Sequence, residues 1–164
     1  MKIIHCADLH LDAKLHTHLD RARARQRRDE LLRNFGRLAD YASENGVEAI
    51  LIAGDLFDRD TVSALARNVV LAVIRAHPRI RFYYLRGNHD VGDCLRGKDT
   101  GGSTPEPLPE NLFLFGNRWK TWPEGKNGEI AITGIELGRE NAASAFRSLR
   151  LQPDRFNIVL LHGQ

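Results

Sequence analysis

The chain has 164 residues, 42% of them hydrophobic and 27% charged, with a formal net charge of +3. That length suits one globular domain with its own core, and the composition excludes low-complexity and fibrous classes. No apolar run approaches the ~20 residues that span a membrane. The start, MKIIHCADLH, has no signal-peptide core, and Cys6 and Cys94 form no CxxC pair and read as free thiols of a reducing compartment. A cytoplasmic location is the expectation.

In chain order, KIIHCAD (Lys2 to Asp8) reads as a short apolar strand. A polar, His-rich stretch from Leu11 to Asp20 follows, and then a helix. Leu31, Leu32, Phe35, Leu38, Ala39 and Ala42 recur on it at three- and four-residue spacing, one apolar stripe. Asn45-Gly46 ends that helix. VEAILIAGD (Val47 to Asp55) is an almost continuous apolar run, as a strand buried on both faces would be. Thr61 to Ala76 returns to helical spacing, with Leu65, Val69, Val73 and Ile74 inward, and RIRFYYLR (Arg79 to Arg86) is a third strand. Strand and helix alternating in this way predict an α/β fold with a parallel sheet and helices on its faces.

Val91 to Asn111 shifts to Gly, Pro, Ser and charge, including GGSTPEPLPEN. A loop of this length in a compact domain is often functional, and Lys98 to Pro109 is a candidate lid over a site. NLFLFG, EIAITGIEL and FNIVLLHG read as further strands, KTWPEGKNG as a hairpin turn, and Asn141 to Leu149 as a short helix.

The chemistry sits where the strands end. The first apolar strand gives Asp8-Leu9-His10, and the second gives Gly54-Asp55 with Asp58 three residues on. The third gives Gly87-Asn88-His89-Asp90, and the last gives His162-Gly163. In an open α/β sheet, sites form at the carboxyl ends of strands, so these tips are expected to converge on one crevice. Carboxylate, amide oxygen and imidazole together suit Mn²⁺, Fe²⁺ or Zn²⁺. A carboxylate such as Asp55 can bridge two ions, and two ions about 3.5–4 Å apart can clamp a phosphoryl centre.

Each motif alone has an ordinary reading as a turn or a cap. DLH, GDLFD, GNHD and HG in this order resemble the calcineurin-like metallophosphoesterases, and GDLFDR looks most like the SbcD-type exonuclease branch. The resemblance implies an αββα sandwich forming a single nuclease domain over residues 1–164. It also implies a centre of two divalent ions, most often manganese, whose activated water hydrolyses phosphate esters. By position, Asp8 and His10 resemble ligands of one metal, Asp55 the bridging carboxylate, and Asn88 and His162 ligands of the other. His89 resembles the catalytic histidine and Asp58 its orienting partner, while Asp90 is expected to brace the turn through backbone amides.

The family's next motif, GHxH, is absent before Gln164. The expectation is a chain truncated at its carboxyl end, with one protein ligand missing from each metal. The branch resemblance further implies DNA as substrate, a role in DNA repair, and an ATPase partner built on a long coiled coil. A phosphatase or cyclic-nucleotide phosphodiesterase of the same superfamily is the alternative, and a non-catalytic binding module on this fold is another.

Weaker signals are the five arginines between Arg21 and Arg28, which read as a solvated helix face or a contact to nucleic-acid phosphates. His16 and His18 read as surface loop residues, Asp12 as an uncommitted neighbour of the first motif, and Phe82, Tyr83 and Tyr84 as core.

Overall fold

The computed structural model describes residues 1–13, 20–58, 62–90, 92–96 and 107–163. Among these, β1 (Ile3–Cys6), β2 (Ala49–Ala53), β3 (Arg81–Leu85) and β4 (Leu112–Leu114) form a sheet in that order. Every neighbouring pair in it is parallel. α1 (Arg21–Glu44) joins β1 to β2, and α2 (Ala64–Ala76) joins β2 to β3. A second sheet orders β5 (Lys120–Glu124), β6 (Ile130–Gly134) and β7 (Phe156–Leu160). There β5 is antiparallel and β7 parallel to β6, with α3 (Ala142–Ser148) in the β6–β7 crossover. These are the two helix-flanked sheets of the expected α/β sandwich.

The period-2 geometry of strands explains how the layers hold. Along β2 all five residues are buried. Ile50 and Ile52 pack on the helix side with Phe35, Ala39 and Ile74. Ala49, Leu51 and Ala53 point the other way, into a second core shared with Ile132 and Leu160 of the second sheet. β3 does the same, with Phe82 and Tyr84 on the helix side and Tyr83 and Leu85 between the sheets. Each fully buried isoleucine contributes about 1.5–3 kcal/mol. Between the sheets, buried Glu124 accepts from Tyr83 Oη and pairs with Arg81 at 2.6 Å.

The two longer helices, α1 and α2, start at side-chain caps. Asp20 accepts from Arg23 N at 2.8 Å and Ser63 from Ala66 N at 3.1 Å, each holding an otherwise unpaired first-turn amide. α1 buries Leu32, Phe35, Ala39 and Ala42, while Leu31 and Leu38 are half-buried at the edges of the stripe.

Two expectations need correction. α2 buries Ala66, Val70, Leu71 and Ile74, not a stripe led by Leu65, which is 65% exposed. Of the expected inward residues, Ile74 is buried and Val69 and Val73 pack half-buried against the core, so the inward face is shifted toward Ala66 and Val70. KTWPEGKNG is not a turn throughout: its first five residues are β5, and only the segment after Glu124 turns. β5 is an edge strand, where Pro123, lacking an amide proton, is tolerated.

Phe82, Tyr83 and Tyr84 are core as expected, and both cysteines are free. Burial pushes each thiol up to about 11. No helix among the described residues is long and apolar enough to cross a membrane. Residues 14–19, which include His16 and His18, and residues 98–106 of the candidate lid lie outside the described residues.

Candidate metal centre

Parallel pairing carries the first two strand tips side by side beyond the regular ladder. Asp8 N donates to Gly54 O at 3.1 Å, His10 N to Asp55 O at 3.0 Å, and Leu11 N to Leu56 O at 2.9 Å. To keep this pairing while turning their side chains upward, the tips adopt unusual backbone. Asp8, His10, Asp12 and Asp55 have φ of 55°, 44°, 66° and 51°, the positive-φ non-glycine residues among those described. Such conformations cost about 1–3 kcal/mol each and gather at functional sites.

Asp90 braces the third tip against the second. Its Oδ1 accepts from Phe57 N at 2.8 Å, and its Oδ2 accepts from Leu56 N at 3.1 Å and Gly87 N at 3.0 Å. Burial raises this carboxyl above the ordinary range, and the amide bonds work against that rise. The expected turn-bracing role is therefore what the geometry displays. Asp12 has a parallel part, accepting from Ser63 N at 2.8 Å and tying the first tip to the start of α2.

Two glycines make room. A Cβ on Gly87 would collide with the Asp55 carboxylate and backbone, and one on Gly54 with the His162 ring. Gly54 also has φ of 91°, open to glycine at little cost.

The tips line one open crevice of about 480 Å³, which takes in Asp8, His10, Asp55, Asn88, His89 and His162. His162, from the second sheet, donates through Nδ1 to Ala53 O at 2.9 Å. A carbonyl can only accept, so Nε2 of the neutral ring carries a lone pair. That Nε2 lies 3.0 Å from Asn88 Oδ1 and 3.4 Å from Asp55 Oδ2. With that ring neutral, three electron-rich atoms face one another with no donor among them, an arrangement that a cation relieves. Asp8, Asp55 and His162 each offer a ligand atom within 4.8 Å of the others. The other Asp55 oxygen accepts from His89 N at 2.9 Å.

Asp58 is not part of the crevice wall; it stands behind two rings. Its Oδ1 is 3.3 Å from His89 Nδ1 and 3.6 Å from His10 Nδ1. The two imidazoles meet edge to face, with centroids 5.1 Å apart. His10 Nδ1 is buried without a hydrogen-bond partner.

The structure thus gathers all seven sequence-predicted site residues at one end of the sandwich, six on the wall and Asp58 behind it. Their donor atoms suit a divalent cation of the Mn²⁺, Fe²⁺ or Zn²⁺ kind. Sequence reasoning missed two features. His5 also lines the crevice, but within an apolar strand it carried no signal. Arg86 grips Glu136 through Nε at 3.0 Å and Nη2 at 2.6 Å, joining the third tip to the second sheet, and nothing in their spacing announces the pair.

Comparison with known proteins agrees with this geometry. The chain is 30% identical over 179 residues to the uncharacterized metallophosphoesterase YhaO of Bacillus subtilis, covering 99% of this chain and 40% of that protein. It is 29% identical over 166 residues to the DNA double-strand break repair protein Mre11 of Sulfurisphaera tokodaii, covering 98% and 40%. It is 32% identical over 103 residues to one of the subunits of the nuclease SbcCD from Rhodobacter capsulatus, covering 60% and 24%. The chain spans about two fifths of the length of the first two of these relatives. The calcineurin-like phosphoesterase family model matches residues 1–164, and the chain belongs to that family.

Proposed function

We propose that the crevice hydrolyses phosphodiesters, with a nucleic-acid strand as substrate in the manner of a DNA-repair nuclease. The observation that carries the chemistry is the donor-free cluster of His162 Nε2, Asn88 Oδ1 and Asp55 Oδ2 beside the His89–Asp58 pair. Asp8, His10 and Asp55 would hold one divalent cation and Asp55, Asn88 and His162 the other, with manganese the first choice. Bound there, such ions supply positive charge to phosphoryl oxygens and acidify water.

The chain's own residues do the rest. Asp58 holds His89 by Nδ1, leaving Nε2 toward the crevice to protonate the leaving oxygen or to stabilise its charge. Asp55 orients the same loop by accepting from His89 N. Asp90 fixes the loop from below, so the reacting groups need little rearrangement before the bond breaks.

Support for the nuclease reading comes from two relatives, one called a DNA double-strand break repair protein and one belonging to a nuclease. A coiled-coil ATPase partner belongs to the same reading. The test is a manganese-dependent panel of duplex DNA, single strands, a phosphoprotein, a cyclic nucleotide and other small phosphate esters. Cleavage of DNA above the other substrates is expected. Preference for the phosphoprotein or a cyclic nucleotide would favour the phosphatase or cyclic-nucleotide reading, and inertness toward all of them a binding module.

A further inference from the structure

The first turns of α1 carry Arg21, Arg23, Arg25, Arg27 and Arg28, with no acidic residue in the first turn. Positive charge at this end of a helix opposes its dipole, so the row needs another reason. At about 100° per residue, Arg21, Arg25 and Arg28 fall within an arc of about 60°. Leu32 and Ala39, both buried, fall in that same arc. These three arginines therefore prolong the body-facing stripe of α1.

Why are they not buried? Leu32 is the first buried residue of the helix. From Leu32 to Ala42 the helix rises about 15 Å, close to the length of a five-residue strand. The segment from Arg21 to Arg27, exposed but for half-buried Ala24, is therefore an overhang of about 10 Å, with half-buried Arg28 at its root. Its direction is fixed by the other end: Lys2 Nζ, just before β1, donates to Asn45 O at 2.9 Å. The carboxyl end of α1 thus lies at the start of β1, and the overhang extends past the strand tips, at the end where the crevice opens.

The ion pairs sort the same way. Arg23 pairs with Asp20 at 3.7 Å and Arg27 with Glu30 at 2.8 Å, and both lie on the opposite side of the helix. Arg21, Arg25 and Arg28 have no ion pair among the described residues. The charges turned outward are thus paired with the helix's own cap or next turn, and those on the body-facing arc are not.

We propose that Arg21, Arg25 and Arg28 form a rail that grips successive phosphates of the strand entering the crevice. This rests on the nuclease reading above and names the residues that would hold its substrate. The three residues span about 10.5 Å along the helix, the rise of about three nucleotides. Guanidinium forks suit phosphate oxygens, and a non-sequence-specific rail matches a substrate recognised by its backbone.

The experiment is fluorescence anisotropy of a labelled 20-nucleotide single strand and its duplex, in EDTA so that nothing is cleaved, across about 50–200 mM salt. The triple variant Arg21→Ala, Arg25→Ala, Arg28→Ala is compared with Arg23→Ala, Arg27→Ala. The expected result is weaker binding by the triple variant, with the log–log salt slope shallower by about 2 to 3, while the double variant binds as the parent does. Arg→Lys at the three rail positions should keep most of the slope. Alanine raises helix propensity, so folding is not at stake, and circular dichroism verifies it. No binding by the parent, an unchanged slope in the triple variant, or equal losses in both variants would overturn the rail. Hydrolysis of bis(p-nitrophenyl) phosphate with Mn²⁺ separates the two readings. The triple variant should match the parent there, and a parent that binds DNA through the rail but cleaves nothing sinks only the catalytic reading.

Discussion

Arg86 and Glu136 lock the GNHD loop to the second sheet. Besides the two guanidinium bonds, Glu136 Oε1 accepts from Arg86 N at 3.1 Å, and Arg86 Nη1 donates to Gly92 O at 2.6 Å. The pair raises the Arg86 guanidinium above its ordinary value, chiefly through the Glu136 bond. One side chain thus anchors the strand before the motif, the loop after it, and the sheet that supplies His162.

Glu136→Ala should lower stability by about 1–3 kcal/mol, because Glu136 is buried and Arg86 is partly solvated. It should also weaken divalent-ion binding, since Asn88 and His162 would no longer be held in one frame. Thermal melts with and without Mn²⁺ read both effects; a variant with unchanged melting in both conditions would refute the anchor.

Asp90→Ala removes the acceptors of three backbone amides, two of them on buried residues. Destabilisation of about 3 kcal/mol or more is expected in urea unfolding. Asp90→Asn keeps the volume but sets an NH₂ against an amide N–H, and should fall between alanine and the parent.

The shared position of Asp58 behind two rings separates its role from that of His89. His89→Asn should cut turnover by about 10²–10⁴-fold and leave manganese affinity nearly unchanged. Asp58→Asn should reduce turnover and, by loosening His10, weaken manganese about 10- to 100-fold. If both variants bind manganese like the parent, Asp58 does not orient His10.

The cysteines give a pH test. Their folded values near 11 lie above the ordinary thiol value of 9.0, so between these limits the native state holds protons that the unfolded chain has released. Stability should accordingly fall as pH rises from about 9 through about 11. Iodoacetamide should label the native protein slowly at pH 8, since thiolate is the reactive form. Rapid labelling at that pH would contradict the burial of both thiols.

Much of the site was legible in the sequence because parallel strands buried on both faces read as unbroken apolar runs. AILIA and RFYYL stand out from their flanks, and the polar residues that end them mark the tips. β5 was not legible, since KTWPE mixes Lys, Pro and Glu at a sheet edge where neither face is continuously apolar. The inward face of α2 was misread because Leu65 carries a strong apolar signal while Ala66, which sits against the core, carries little. Pairings such as Arg86 with Glu136, fifty residues apart, leave no local trace at all.

The most direct test of the account is calorimetric titration of Mn²⁺ into the protein and into Asp55→Ala. Asp55 faces both His162 and His89, so the parent should bind manganese and gain thermal stability from it. The variant should lose at least one site and most of that gain. No manganese binding by the parent, or identical isotherms for the two proteins, would contradict the claim that these strand tips form a metal centre.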